Sequence, residues 1–148
     1  MILIIIIAVL ALDQLTKFAA SNALIINNPV CVIKGIFYLT LVHNRGAAFG
    51  ILQNQTLLFI ITSLIAIFLI YLNLKKAKAA PWQSISLAFI LAGAIGNLFD
   101  RIIYGHVIDF LDFRVWPVFN VADSSITIGA ILLGWHILIS QNRISQNK

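Results

Sequence analysis

The sequence predicts an all-α membrane protein, with four transmembrane helices and a small extracytoplasmic β-element. Three observations carry this. Hydrophobic residues make up 61% of the 148-residue chain and charged residues only 10%, with a mean hydropathy of +0.99. A soluble domain averages about 45–50% and 25%, and a core this small cannot hide so much apolar surface. Second, four runs approach the roughly 20 apolar residues needed to cross a hydrocarbon layer about 30 Å thick. Third, the ionisable and asparagine residues in and beside the first, third and fourth runs gather near one interface.

Residues 1–148 are therefore expected to form a single integral membrane domain. Its spans lie at about 2–20, 57–74, 85–104 and 121–140, with outer segments 21–56 and 105–120. The opening MILIIIIAVLAL has the look of a signal-peptide core. It has no basic lead, and Asp13-Gln14-Leu15-Thr16-Lys17 stands where a small-residue cleavage site belongs. It is expected to be a retained first helix. The second span is uncharged throughout, and the third carries Gly93, Ala94 and Gly96, small residues that let helices approach closely in lipid.

Lysine placement sets the expected direction. Lys75, Lys76 and Lys78 crowd the loop between the second and third spans, and Arg143 and Lys148 follow the fourth. The positive-inside rule puts both segments, and hence both termini, in the cytoplasm. In the first outer segment, Val30–Ile33 and Ile36–Val42 are β-prone runs joined at Lys34-Gly35, which suggests a hairpin or small sheet at the membrane surface. Asn44-Arg-Gly-Ala-Ala-Phe-Gly50 follows, a glycine-bearing loop that reads as a lid.

The charges exclude several functions. Ten Lys and Arg stand against five Asp and no Glu, yet no basic stripe interleaved with aromatics points to nucleic acid. Cys31 has no disulfide partner and reads as a small buried or interfacial residue. His43 and His106 read as interfacial loop residues and His136 as a deep helical one, without metal-ligand spacing.

Ionisable groups inside a bilayer are costly and mark function by default. At 1.5 Å per residue, Asp13 and Lys17, then Asn97, Asp100 and Arg101, fall in the outer halves of the first and third helices. Asp109, Asn120, Asp123 and Asn44 join them at the same depth. Asp13 and Lys17 are spaced to neutralise one another, as a structural pair or as part of a site. Asp100 and Arg101 point apart and need separate partners. Asp112, near Trp116-Pro117, is expected to be solvated, and Asn120 to cap the fourth helix.

Asp109 and Asp123 differ, because each is embedded in an apolar run and a loop turned by Pro117 joins them. Two carboxylates held close in a poorly hydrated site cannot both ionise. One then deprotonates water while its partner polarises a carbonyl. A proton-coupled secondary transporter is the rival, but such proteins place their acids near the midplane between repeats, and no repeat is visible here. A purely structural membrane subunit leaves the gathered polar residues unexplained.

Five segments, in order, carry a resemblance: Asp13-Gln-Leu-Thr-Lys17, Asn44-Arg-Gly-Ala-Ala-Phe-Gly50, Gly93-Ala-Ile-Gly-Asn-Leu-Phe-Asp-Arg101, Gly105-His-Val-Ile-Asp-Phe110 and Phe119-Asn-Val-Ala-Asp-Ser124. Over essentially its whole length the chain resembles the bacterial lipoprotein signal peptidases (signal peptidase II). The resemblance implies an aspartic endopeptidase of the bacterial inner membrane that cuts before a diacylglyceryl-modified cysteine. It implies Asp109 and Asp123 as the catalytic pair and Asn44, Asn97, Arg101 and Asn120 as substrate contacts, with Asp13 and Lys17 in support; Gly46, of the glycine-bearing loop, is counted with the supporting residues. Lipidated prolipoproteins, membrane lipid and cyclic lipopeptide inhibitors are the implied partners. Neither metal nor organic cofactor is expected, since a carboxylate pair suffices to activate water.

Overall fold

The structure, a computed structural model, describes residues 1–46, 53–76 and 81–146. Its elements are α1 (Ile2–Ala23), β1 (Val30–Ile33), β2 (Phe37–Asn44), α2 (Thr56–Lys76), α3 (Pro81–Tyr104), β3 (Val107–Asp112) and α4 (Val121–Gln146). All four helices are long and apolar enough to cross a membrane. Their outward faces are what water would not tolerate: Leu3, Ile4 and Phe18 of α1 and Leu57, Ile65 and Phe68 of α2 all stand exposed. Such faces belong in lipid.

Several helices overrun the expected spans for local reasons. In α1 the Asn22 amide donates back to the Phe18 carbonyl at 2.7 Å, satisfying an end carbonyl and carrying the helix to Ala23. α3 starts at Pro81, where the missing N–H costs nothing, and stops at Gly105, whose φ of +74° favours glycine. There the Gly105 N–H closes onto the Arg101 carbonyl at 3.1 Å.

α3 is the hub. It buries more than half of its span and packs against α4, α1 and α2. Close approach is made by glycine: a methyl at Gly129 of α4 would come 2.6 Å from the Ser86 carbonyl of α3, and one at Gly96 2.5 Å from an Asp13 carboxylate oxygen of α1. In lipid this contact, with the polar bonds across it, replaces the hydrophobic drive that water supplies elsewhere.

The sheet caps one end of the bundle, where α1 and α3 finish and α2 and α4 begin. Its order is β1-β2-β3, antiparallel throughout. The hairpin expected around Lys34-Gly35 is β1–β2, with Gly35 at φ +78°. β3 departs from the loop expected over 105–120. It pairs with β2 through Val42↔Asp109, His43↔Ile108 and Asn44↔Val107, so Asn44 and His43 are strand residues rather than loop residues. Cys31 is exposed on β1, not buried. Of the expected lid, Gly46 is described and Gly50 lies outside the described residues, as do Lys78 and Lys148.

Candidate active site

β3 and the first turn of α4 deliver the two acids. On the β2–β3 ribbon successive side chains alternate in face. Asn44 and Asp109 share one face, and the Asn44 amide donates to Asp109 Oδ2 at 2.9 Å. Asp123 sits in the first turn of α4, whose N-cap is Asn120. Asn120 Oδ1 accepts the Asp123 N–H at 2.8 Å, and Asp123 Oδ2 accepts the Asn120 N–H at 3.3 Å. This reciprocal cap fixes the Asp123 side chain relative to the helix end.

Two asparagines bridge the acids. Asn120 Nδ2 donates to Asp109 Oδ1 at 2.7 Å and to Asn97 Oδ1 at 3.1 Å. Asn97 Nδ2 donates to Asp123 Oδ1 at 2.8 Å. Every oxygen of both carboxylates therefore receives a hydrogen bond. Asp109 is 1% exposed. Burial, and after it the repulsion of the Asp123 carboxylate, push the Asp109 carboxyl up to about 7, against the pull of the Asn44 and Asn120 amides. Both acids line one cavity of about 240 Å³, with Arg101, Trp116, Pro117 and Phe119 among its walls.

Behind the asparagines lies a buried ionic cluster. Lys17 Nζ stands 2.9 Å from Asp13 Oδ2, 2.8 Å from Asp100 Oδ2 and 3.0 Å from Asn97 Oδ1. The pairing of Asp13 with Lys17 is as expected, and Asp100 finds its separate partner in the same ammonium. Asp13 also accepts the Ala122 N–H of α4 at 2.8 Å, and Asp100 the Ile108 N–H of β3 at 3.2 Å. Two acids and one amide around one cation satisfy what lipid would penalise. Arg101 goes elsewhere: its guanidinium lies 5.0 Å from the Phe59 ring centroid, with long contacts of 3.5 Å to the Gly46 and Asn97 carbonyls. The Gly46 N–H donates to Asn44 Oδ1 at 3.0 Å, fixing the amide that meets Asp109.

Asp112 corrects an expectation. It is 5% exposed, not solvated, because β3 packs it against Thr40, whose hydroxyl donates to Asp112 Oδ2 at 2.7 Å. Gln14 joins the cluster unforeseen. Its amide donates to Asp13 Oδ2 and Asp100 Oδ1, both at 3.1 Å, and its polarity at the depth of Asp13 and Lys17 was the available signal. His43 and His106 stack on each other, ring centroids 4.0 Å apart. Burial, and next the neighbouring His43, hold His106 below its ordinary value. Among the described residues no group of three or more His, Cys, Asp or Glu is placed to hold a metal ion.

A multi-pass membrane protein with a buried two-carboxylate centre at one end of its bundle is a narrow class. The model of the signal peptidase (SPase) II family matches residues 5–139. A lipoprotein signal peptidase of Caldanaerobacter subterraneus subsp. tengcongensis is 51% identical over 137 residues, 91% of this chain and 94% of that protein. One from Halothermothrix orenii is 44% identical over 133 residues, 90% and 92% of the two chains. A solved structure described as a bacterial membrane enzyme is 34% identical, with a TM-score of 0.87, covering 99% of this chain and 90% of its own. The chain belongs to the signal peptidase II family, a family of proteases.

Proposed function

We propose that the protein is an aspartic endopeptidase that removes the signal peptide from diacylglyceryl-modified prolipoproteins, cutting immediately before the lipidated cysteine. The observation that carries this reading is the bridge Asp109–Asn120–Asn97–Asp123, which sets both acids on the wall of a single cavity. Relatives named lipoprotein signal peptidases supply the substrate class.

The two acids take different parts. Asp109, pushed up to about 7, holds its proton into the neutral range, where an ordinary carboxyl has lost it. Asp123 lies in the first turn of α4, where the helix dipole and the capping N–H favour a carboxylate. Asp123 accepts a proton from water as the oxygen attacks the scissile carbonyl, and Asp109 gives its proton to the developing oxyanion. The tetrahedral intermediate collapses as Asp123 passes the captured proton to the cysteine nitrogen, and the oxyanion proton returns to Asp109. One water is consumed and both acids end as they began.

Asn44 and Asn97 hold the acids from the cavity wall and meet the peptide backbone, and Arg101 faces the cavity to bind a substrate carbonyl; Asn120, expected as a substrate contact, is wholly buried behind that wall and holds the two acids instead. Asp13 and Lys17 support them, and Gly46 begins the lid. The chain acts as a single integral membrane domain of the bacterial inner membrane, both termini cytoplasmic, its site at the outer face. A signal helix in the membrane presents its scissile bond at that depth. Membrane lipid flanks the entry, and cyclic lipopeptides that reach the acids inhibit. No cofactor takes part.

Purified protein in detergent, given precursor with and without the diacylglyceryl group, tests the substrate assignment. Mass spectrometry of the product should show a new N-terminus at the modified cysteine and no cleavage of unmodified precursor. Equal cleavage of both, or a cut elsewhere, contradicts it.

A further inference from the structure

Lys17 is 1% exposed within a membrane-spanning helix, and its three bonds go to Asp13, Asp100 and Asn97. An ammonium has three donors and no acceptor, so its donors are fully used. One of the three has a consequence at a distance. We propose that Lys17 is a positioning residue for the acid pair: by holding the Asn97 carbonyl oxygen, it turns the Asn97 NH₂ onto Asp123. The proposal rests on the reading of Asp109 and Asp123 as the catalytic pair and names what sets their hydrogen bonding.

The two ends of an asparagine amide are nearly the same shape and opposite in chemistry. An amide beside a carboxylate is free, sterically, to present either end. Here only one end can face Lys17. Asn97 Oδ1 lies 3.0 Å from Lys17 Nζ, which leaves Nδ2 to meet Asp123 Oδ1 at 2.8 Å. The same oxygen accepts from Asn120 Nδ2 at 3.1 Å, and that amide group also donates to Asp109 at 2.7 Å. Reversing Asn97 would set its oxygen against a carboxylate and its NH₂ against two donors. Lys17 thus sets the sense of the Asn97 link, as the helix cap sets that of Asn120.

The anchoring of the cation fits this role. Asp13 ties it to α4 through the Ala122 N–H at 2.8 Å, and Asp100 ties it to β3 through the Ile108 N–H at 3.2 Å. Those are the two elements that carry the acids. The ammonium is therefore fixed with respect to both, as a device that orients an amide between them requires.

The test is a cycle of Lys17→Met, Asn97→Ala and the double variant, each checked for a folded monodisperse state in detergent, with kcat and KM for lipidated precursor. Lys17→Met should lower kcat by about tenfold or more with KM within about threefold, and the double variant should match Asn97→Ala within about threefold. Lys17→Gln, which restores an N–H donor without charge, should recover most of the lost kcat. Losses that multiply across the cycle, or a folded Lys17→Met with undiminished kcat, overturn the proposal. Should Lys17→Met not fold, the otherwise unaltered chain carrying ¹⁵N only on asparagine amides decides the matter. Introducing Asp123→Asn should move the Asn97 NH₂ signals, and an unmoved signal overturns the assigned orientation. If Asp109→Asn and Asp123→Asn still cleave, the catalytic pair itself is wrong; if they do not and Lys17→Met does, only the positioning role fails.

Discussion

Asn120 and Asp123 cap one another: the side-chain oxygen of Asn120 takes the Asp123 N–H at 2.8 Å, and the Asp123 carboxylate takes the Asn120 N–H at 3.3 Å. A cap of this kind ordinarily serves only the helix. Here the capping carboxylate is also a wall of the cavity, so the start of α4 and the placement of a reactive group are one event. Asn120 is completely buried and reaches Asp109 as well. Asn120→Ala should therefore do two things at once. Loss of the cap costs about 1 kcal/mol in detergent unfolding, and cleavage falls by a larger factor than that loss explains. Equal losses of stability and activity would mean that Asn120 is a cap alone.

Asp109 predicts an unusual dependence of stability on pH. Its carboxyl sits at about 7 when folded against an ordinary 3.8, chiefly because it is buried and next because Asp123 repels it. The folded state thus keeps a proton that the unfolded chain has already released across that window. Its contribution to stability is greatest on the acid side and declines as pH rises from about 4 through 7. Asp109→Asn should remove this decline and unfold at a higher temperature than the parent at pH 8, by the equivalent of about 1 kcal/mol or more. Parallel pH–stability curves for the two proteins would contradict the burial argument.

Gly96 predicts a steric failure at a distance from the cavity. A methyl there would lie 2.5 Å from Asp13 Oδ2, which is bonded to Lys17. Gly96→Ala should cost about 1–3 kcal/mol as an overpacked contact and should reduce cleavage, because the ionic cluster that orients Asn97 is displaced. Unfolding by circular dichroism alongside a cleavage assay checks both.

Arg114 offers a test on the loop over the site. Its φ is +65°, a left-handed conformation in which its N–H donates to Asp112 Oδ1 at 2.9 Å and its guanidinium lies 3.8 Å from the Tyr38 ring centroid. Arg114→Ala loses the ring contact and keeps the backbone strain, whereas Arg114→Gly loses the contact and sheds the strain. The glycine variant should be the more stable of the two by about 1 kcal/mol. The reverse order would remove the backbone from the explanation.

The sequence-based expectations held where each was local. Four apolar runs became four helices, and the turn at Lys34-Gly35 became a hairpin, because length and turn chemistry decide such features. The depth of Asp13, Lys17, Asn97, Asp109 and Asp123 could be counted along the helices, and the structure brings those residues together. β3 escaped notice because Val107–Asp112 carries acids at two of six positions and is a strand only by pairing with β2. Asp112 looked solvated for the same reason, since Thr40, which buries its charge, belongs to another strand. The role of Gln14 and the sense of the Asn97 amide depend on partners across α1, α3 and α4, and no spacing along one chain segment reveals them.

The central claim is that two carboxylates share the hydrolysis. Asp109→Asn and Asp123→Asn, made separately, folded in detergent and supplied with lipidated precursor, test it most directly. Each should keep its helical spectrum and lose at least about a thousandfold of the cleavage rate. Substantial cleavage by either folded variant would contradict the account.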